Sequence, residues 1–233
     1  MFGMFDPTVI LLLPAIIFAF IAQGKVSSAF NKYSKVRNRK GMSGAQAARV
    51  ILDRNGLASV TIEMTKGRLS DHYDPKKRKL CLSPDVYGNA SVAAVSVAAH
   101  EAGHAMQHAE RYFPLTLRNS IVPAVNIGSM LSWPLLLVGI AVISAGHYFE
   151  GNMIFNIGII FFLGVIVFHT VTLPVEFNAS SRALKQLEEY GIIYGEESRW
   201  AKKVLSAAAM TYVAALAVAV ANLLRILLIR GRE

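Results

Sequence analysis

The sequence predicts a mainly α membrane protein with about four transmembrane helices and a small α+β region carried between them. Three observations lead there. The composition is 54% hydrophobic with a mean hydropathy of +0.42, too apolar for an ordinary soluble domain. The runs 7–22, 121–145 and 153–173 are uncharged and long enough to span a bilayer, and a fourth, 204–224, continues through Arg225 into a further apolar run. The net charge of +9 is gathered beside these runs. That is the pattern of juxtamembrane anchoring and topology setting, which argues against nucleic acid as a partner.

Residues 1–23 form an N-terminal transmembrane anchor, retained because no basic n-region or A-x-A-like cleavage site accompanies it. The basic stretch GKVSSAFNKYSKVRNRK follows, and RALKQLEEYGIIYGEESRWAKK follows the third apolar run. The positive-inside rule puts both in the cytoplasm, while HYFEGN, without Lys or Arg, lies outside. Arg230 and Arg232 run against this assignment, since four spans would put them outside as well.

Residues 24–118 make a cytoplasmic region. After a basic connector ending near Gly41, Ser43 and Gln46 form a capping box for the amphipathic AQAARVILDR, which Asn55-Gly56 stops. Alternation predicts strands over 60–64 and 79–83, with a turn at Lys66-Gly67. The polar stretch Asp71-His72-Tyr73-Asp74 reads as a loop, because Pro75 disfavours helix at Asp74. The strand at 79–83 offers a free edge on which an extended peptide could lie. Cys81, the sole cysteine, excludes an intramolecular disulfide and a cysteine metal cage, and reads as a small strand hydrophobe.

Asn89 or Ser91 caps a helix over about 91–110. A transmembrane hairpin occupies 119–174, with Pro123 and Pro134 in or near its first half. Pro174 marks the start of a new helix in a cytoplasmic segment, 175–203, which places Glu176, Ala179, Ser180 and Ala183 on one face. Its part from 184 onward is charged and surface-like, broken at Gly191 and Gly195. Residues 204–233 form a C-terminal helix that spans.

The chemistry concentrates in His100-Glu101-Ala102-Gly103-His104. Residues four apart on a helix lie one above the other, so the two imidazoles can bind one metal ion while Glu101 reaches a water beside it. This is the H-E-x-x-H pattern of zinc peptidases. Gly103 suits a tightly packed helix. A catalytic zinc takes three protein ligands, and the candidates for the third are Glu176, His169, His108 and the side chains of 71–74. His108 would stretch the ligand set along the helix. His169 lies inside the third apolar run, where a helix–helix hydrogen bond explains it equally well. Glu176 opens its helix at the membrane face of the His100 helix and is the best placed by topology.

DHYDP, a short strand and proline, VAAHEAGHAMQ, two spans, LPVEFNASSRAL and AAAMTYVAAL together carry a resemblance. Over most of its length the chain resembles the YugP-type membrane zinc metallopeptidases, a group similar to the CAAX prenyl endopeptidases and the heat-shock protease HtpX. The resemblance implies a zincin-like region of gluzincin type, in which His100, His104 and Glu176 bind Zn2+ and Glu101 is the general base. One departure stands out: the prenyl and heat-shock relatives carry Asp four residues after the ligand Glu, where this chain has Ser180, which cannot supply a carboxylate to orient a zinc-bound imidazole.

The expected activity is that of a multi-pass membrane zinc metalloendopeptidase, in a plasma or inner membrane with its site on the cytoplasmic side. Its partners are the bilayer and a peptide or membrane-protein substrate, with room for a membrane-protein partner or a second copy of the chain. His72 or Tyr73, in the polar loop, would donate to the oxyanion. The competing reading is a catalytically inert zinc-binding membrane adaptor. A proton-coupled transporter fits less well, because the ionisable residues cluster at one membrane face and not at the midplane.

Overall fold

The computed structural model describes residues 7–230; Arg232 and the outer ends of the segments 1–23 and 204–233 lie outside the described residues. A 3-10 turn at Pro7–Leu12 leads into α1 (Leu13–Tyr33), followed by α2 (Gly44–Arg54), β1 (Thr61–Met64), β2 (His72–Asp74), β3 (Lys79–Leu82) and α3 (Pro84–Tyr87). After these come α4 (Val92–Ala109), α5 (Phe113–Ser144), α6 (Tyr148–Glu189) and α7 (Glu196–Arg230). The predicted fold class holds: this is a mainly α membrane protein with a small sheet, and among the described residues four helices, Thr8–Tyr33, α5, α6 and α7, are long and apolar enough to cross a membrane.

The chain divides into two compact units. The first comprises, among the described residues, 7–20, 116–173 and 212–230. Leu136, Phe155, Phe162 and Ile226 form its interior cluster. Ile10, Phe20, Met130 and Phe149 are exposed, as suits helices whose backbone is satisfied internally and whose side chains meet lipid. Small residues bring α5 and α6 together: a Cβ on Gly139 would stand 2.8 Å from the Phe155 backbone. The arginine that runs against the charge pattern also finds its place. Arg230 Nη1 donates to Asn156 Oδ1 at 2.7 Å and Nη2 to Asn152 Oδ1 at 3.4 Å, so the end of α7 lies beside the first turns of α6.

The second unit comprises Ile21–Leu115 and Pro174–Thr211. Its centre is α4, started by Ser91, whose Oγ accepts from Ala94 N at 3.2 Å. Val92, Val95, Ala98, Ala99 and Ala102 of this helix join a core with Ile51, Leu52, Leu80, Leu82 and Leu187. Small side chains on several faces let α2, the sheet and the second half of α6 all approach this helix closely. The start of α2 is as predicted, with both arms of the Ser43–Gln46 capping box formed, and Asn55 is its C-cap.

Five expectations change. The stretch 72–74 is a strand and not a loop: the extended conformation imposed before Pro75 also suits pairing, and β2 runs antiparallel to β3 with Tyr73 opposite Leu80. The sheet order is β1-β3-β2, so the strand before the metal helix is central and offers no free edge. Helix α6 passes straight through Pro174, because one proline removes a single N–H from the ladder while its φ remains helical. The connector after the first apolar run is helical as far as Tyr33, and 184–203 is not merely surface: Leu187, Ile192, Ile193 and Ala201 belong to the core.

Candidate metal centre

His100, Glu101 and His104 stand on the middle turns of α4, and Glu176 on α6 just past the apolar run ending at residue 173. What brings the two helices into register is Gly103. A Cβ there would stand 2.7 Å from the Ala179 carbonyl oxygen and 3.3 Å from its Cα, so only glycine lets the α6 backbone pass at this level. Ala179 and Ala183, on the predicted face with Glu176, are buried. Gly103→Ala is therefore expected to separate α4 from α6, destabilise the fold by about 1–3 kcal/mol and weaken metal binding about tenfold. Chelator competition and thermal unfolding in detergent check this, and wild-type values in both would show that the contact is dispensable.

The close approach brings Glu176 Oε2 to 3.3 Å from His100 Nε2 and 3.7 Å from His104 Nε2. Among the described residues these three side chains form the group that can hold a metal ion, with ligand atoms all within 4.8 Å of one another. Tetrahedral ligands about 2.0–2.1 Å from zinc stand about 3.4 Å apart, and two imidazoles with one carboxylate are a catalytic zinc donor set. The residues present fit the ion. Glu176 is buried, only 2% exposed, and the two histidines are partly buried. Burial lowers the pKa of His104, but the hydrogen bond to Glu176 and the charges of Glu101 and Glu176 outweigh it and the net shift is upward. Glu101 is buried beside the group, and its charge is felt at His104.

The other ring nitrogens are also engaged. Ser180 Oγ lies 3.1 Å from His100 Nδ1, so the hydroxyl that stands in place of a carboxylate does reach the imidazole. His104 Nδ1 meets Gln107 Oε1 at 3.0 Å. Gln107 is not singled out by the sequence. Its spacing, three residues after His104, is the available signal, but a glutamine on an Ala-rich helix has no reason to be noticed until its neighbours on α6 are known.

The remaining candidates lie elsewhere. His169 precedes Glu176 by seven residues on the same helix, about 10 Å along its axis, with its ring against Phe168. His108 Nδ1 meets the Tyr73 hydroxyl at 3.0 Å, and burial raises the pKa of that phenol. Asp71 accepts from Ser83 N at 2.7 Å and Ser83 Oγ at 3.0 Å; burial nevertheless raises its pKa overall. Asp74 caps the turn at Lys76 N and Lys77 N. His72 Nδ1 lies 2.8 Å from Ser70 O.

No solved structure matches the chain. It is 46% identical over 227 residues, 97% of this chain and 98% of the relative, to a Bacillus subtilis (strain 168) protein named "Putative membrane protease YugP". The model of the family described as "Putative neutral zinc metallopeptidase" matches residues 8–231; with a match that runs nearly end to end, the chain belongs to this zinc metallopeptidase family, and Zn2+ is its metal.

Proposed function

We propose that this protein is a membrane-bound zinc endopeptidase of gluzincin type, with His100, His104 and Glu176 as the ligands and Glu101 as the general base. The observation that carries the reading is the convergence of those three donors beside a buried carboxylate, Glu101, that is not one of them. A purely structural site has no use for that fourth group. Zinc held there supplies an acidified water and a Lewis acid for the scissile carbonyl. Glu101 takes the proton of the attacking water and hands it to the leaving amine. Ser180 and Gln107 hold the two imidazoles in position.

The substrate strand belongs on β2. It is an edge of the sheet, and its Tyr73 touches α4 through His108, so a peptide paired to its outer side would run along the metal helix. His72 and Tyr73, on that strand, are the side chains from which an oxyanion donor would come. The basic stretches flanking the apolar runs support a cytoplasmic site, and Glu176 lies one turn beyond such a run. Chain segments close to the membrane, such as the tails or unfolded parts of membrane proteins, are the substrates this suits.

Purified in detergent, the zinc-loaded protein is expected to cleave an unfolded membrane-protein substrate, to stop when a chelator removes the metal, and to resume when Zn2+ is restored. Stoichiometric zinc with no cleavage of any of a varied set of substrates would favour the inert adaptor.

A further inference from the structure

We propose that Gln107 is a positioning residue that sets the tautomer of His104, and that it is itself aligned by a chain of hydrogen bonds starting at the Glu110–Arg182 ion pair. The inference rests on the reading of His104 as a zinc ligand. At the surface end of the chain of bonds the donor is unambiguous. A guanidinium only donates. Arg182 places Nη1 and Nη2 on the two Glu110 carboxylate oxygens, both at 2.7 Å, and its Nε on Asn178 Oδ1 at 2.7 Å. Asn178 must therefore turn its oxygen toward Arg182.

That oxygen also accepts from Gln107 Nε2 at 2.9 Å, and the same nitrogen donates to the Val175 carbonyl at 2.8 Å. Both amide protons of Gln107 are then used, and its amide cannot flip without placing oxygen against oxygen at both contacts. Gln107 is completely buried, so water cannot substitute. Its Oε1 is left facing His104 Nδ1 at 3.0 Å. An amide oxygen only accepts, so Nδ1 must carry the proton. With zinc bound, Nε2, the nitrogen 3.7 Å from Glu176 Oε2, is then the one that offers its lone pair to the metal.

His100 is held differently. Its Nδ1 partner is the Ser180 hydroxyl, which can donate or accept and so dictates no tautomer. One imidazole of the pair is wired to a single form and the other adapts. The hydrogen bonds link the C-terminal end of α4 to α6, so a plain structural role for Gln107 must be separated from the tautomeric one.

The first test needs no variant: in long-range 1H–15N spectra of the zinc-loaded full-length protein in detergent, His104 is expected to carry its proton on Nδ1, and a proton on Nε2 overturns the proposal. The second measures zinc affinity by chelator competition, which is independent of whether the protein cleaves anything. Gln107→Leu removes the acceptor, and zinc affinity is expected to fall about 10- to 100-fold while thermal unfolding shows a folded protein. Gln107→Glu keeps an acceptor for His104 but gives up both donations to α6. It is expected to bind zinc more tightly than Gln107→Leu, by about tenfold. If the two variants are equally impaired, or if Gln107→Leu binds zinc like the wild type, Gln107 only ties the helices together and the proposal fails.

Discussion

Glu101→Gln is expected to bind zinc as tightly as the wild type and to lose turnover by about a hundredfold to ten-thousandfold, the range that a positioned general base contributes. The substitution keeps the size of the side chain and removes its charge and its ability to take a proton. That loss corresponds to about 3–5.5 kcal/mol in the barrier. Zinc affinity should hold because Glu101 is not among the three converging donors. Equilibrium zinc competition and kcat on an unfolded substrate, measured on the same preparation, read the two properties separately. Wild-type turnover would remove Glu101 from the base role, whereas a loss of zinc would make it a ligand.

Glu176→Ala is expected to act in the opposite order, on the metal first. A four-ligand zinc site is worth about 10–16 kcal/mol, or about 3 kcal/mol per ligand, so removing one of three should cost more than about a hundredfold in affinity. Turnover should disappear at zinc concentrations that saturate the wild type. Glu176 is almost wholly buried against two imidazoles, and the other carboxylates considered for the role are committed elsewhere: Asp71 to Ser83 and Asp74 to the turn at 76–77. Metal content after dialysis against a chelator provides the check. Full zinc affinity in this variant would return the third ligand to His169 or to the 71–74 segment.

Much of the site was legible because its signals are local. His100 and His104 face the same way by helical periodicity alone, and Glu176, Ala179, Ser180 and Ala183 share a face for the same reason. The four apolar helices were readable because a bilayer demands about 20 uncharged residues in succession. The misreadings came where a local rule permits two outcomes. Extended backbone before Pro75 fits a loop or a strand, and only β3 as a neighbour decides for the strand. Pro174 suits a helix start or a helix interior, and the folded chain adopts the second. Alternation cannot be read for partners either: Lys79–Leu82 looks the same as an edge or as the central strand it proves to be.

Thus the sequence by itself determined the membrane class, the two-histidine helix with its adjacent carboxylate, and the face that bears Glu176, since each follows from spacing within one segment. Tertiary structure alone decided what those segments do to one another. Gly103 was visible as a small residue, but that it clears the Ala179 carbonyl depends on a contact 76 residues away in the chain. Ser180 looked like a deficit until its hydroxyl was found 3.1 Å from His100. Gln107 had no meaning until Asn178 and Arg182 were beside it. Hydrogen bonds between helices depend on distance and direction to about a few tenths of an ångström, and no pattern within a single helix encodes them.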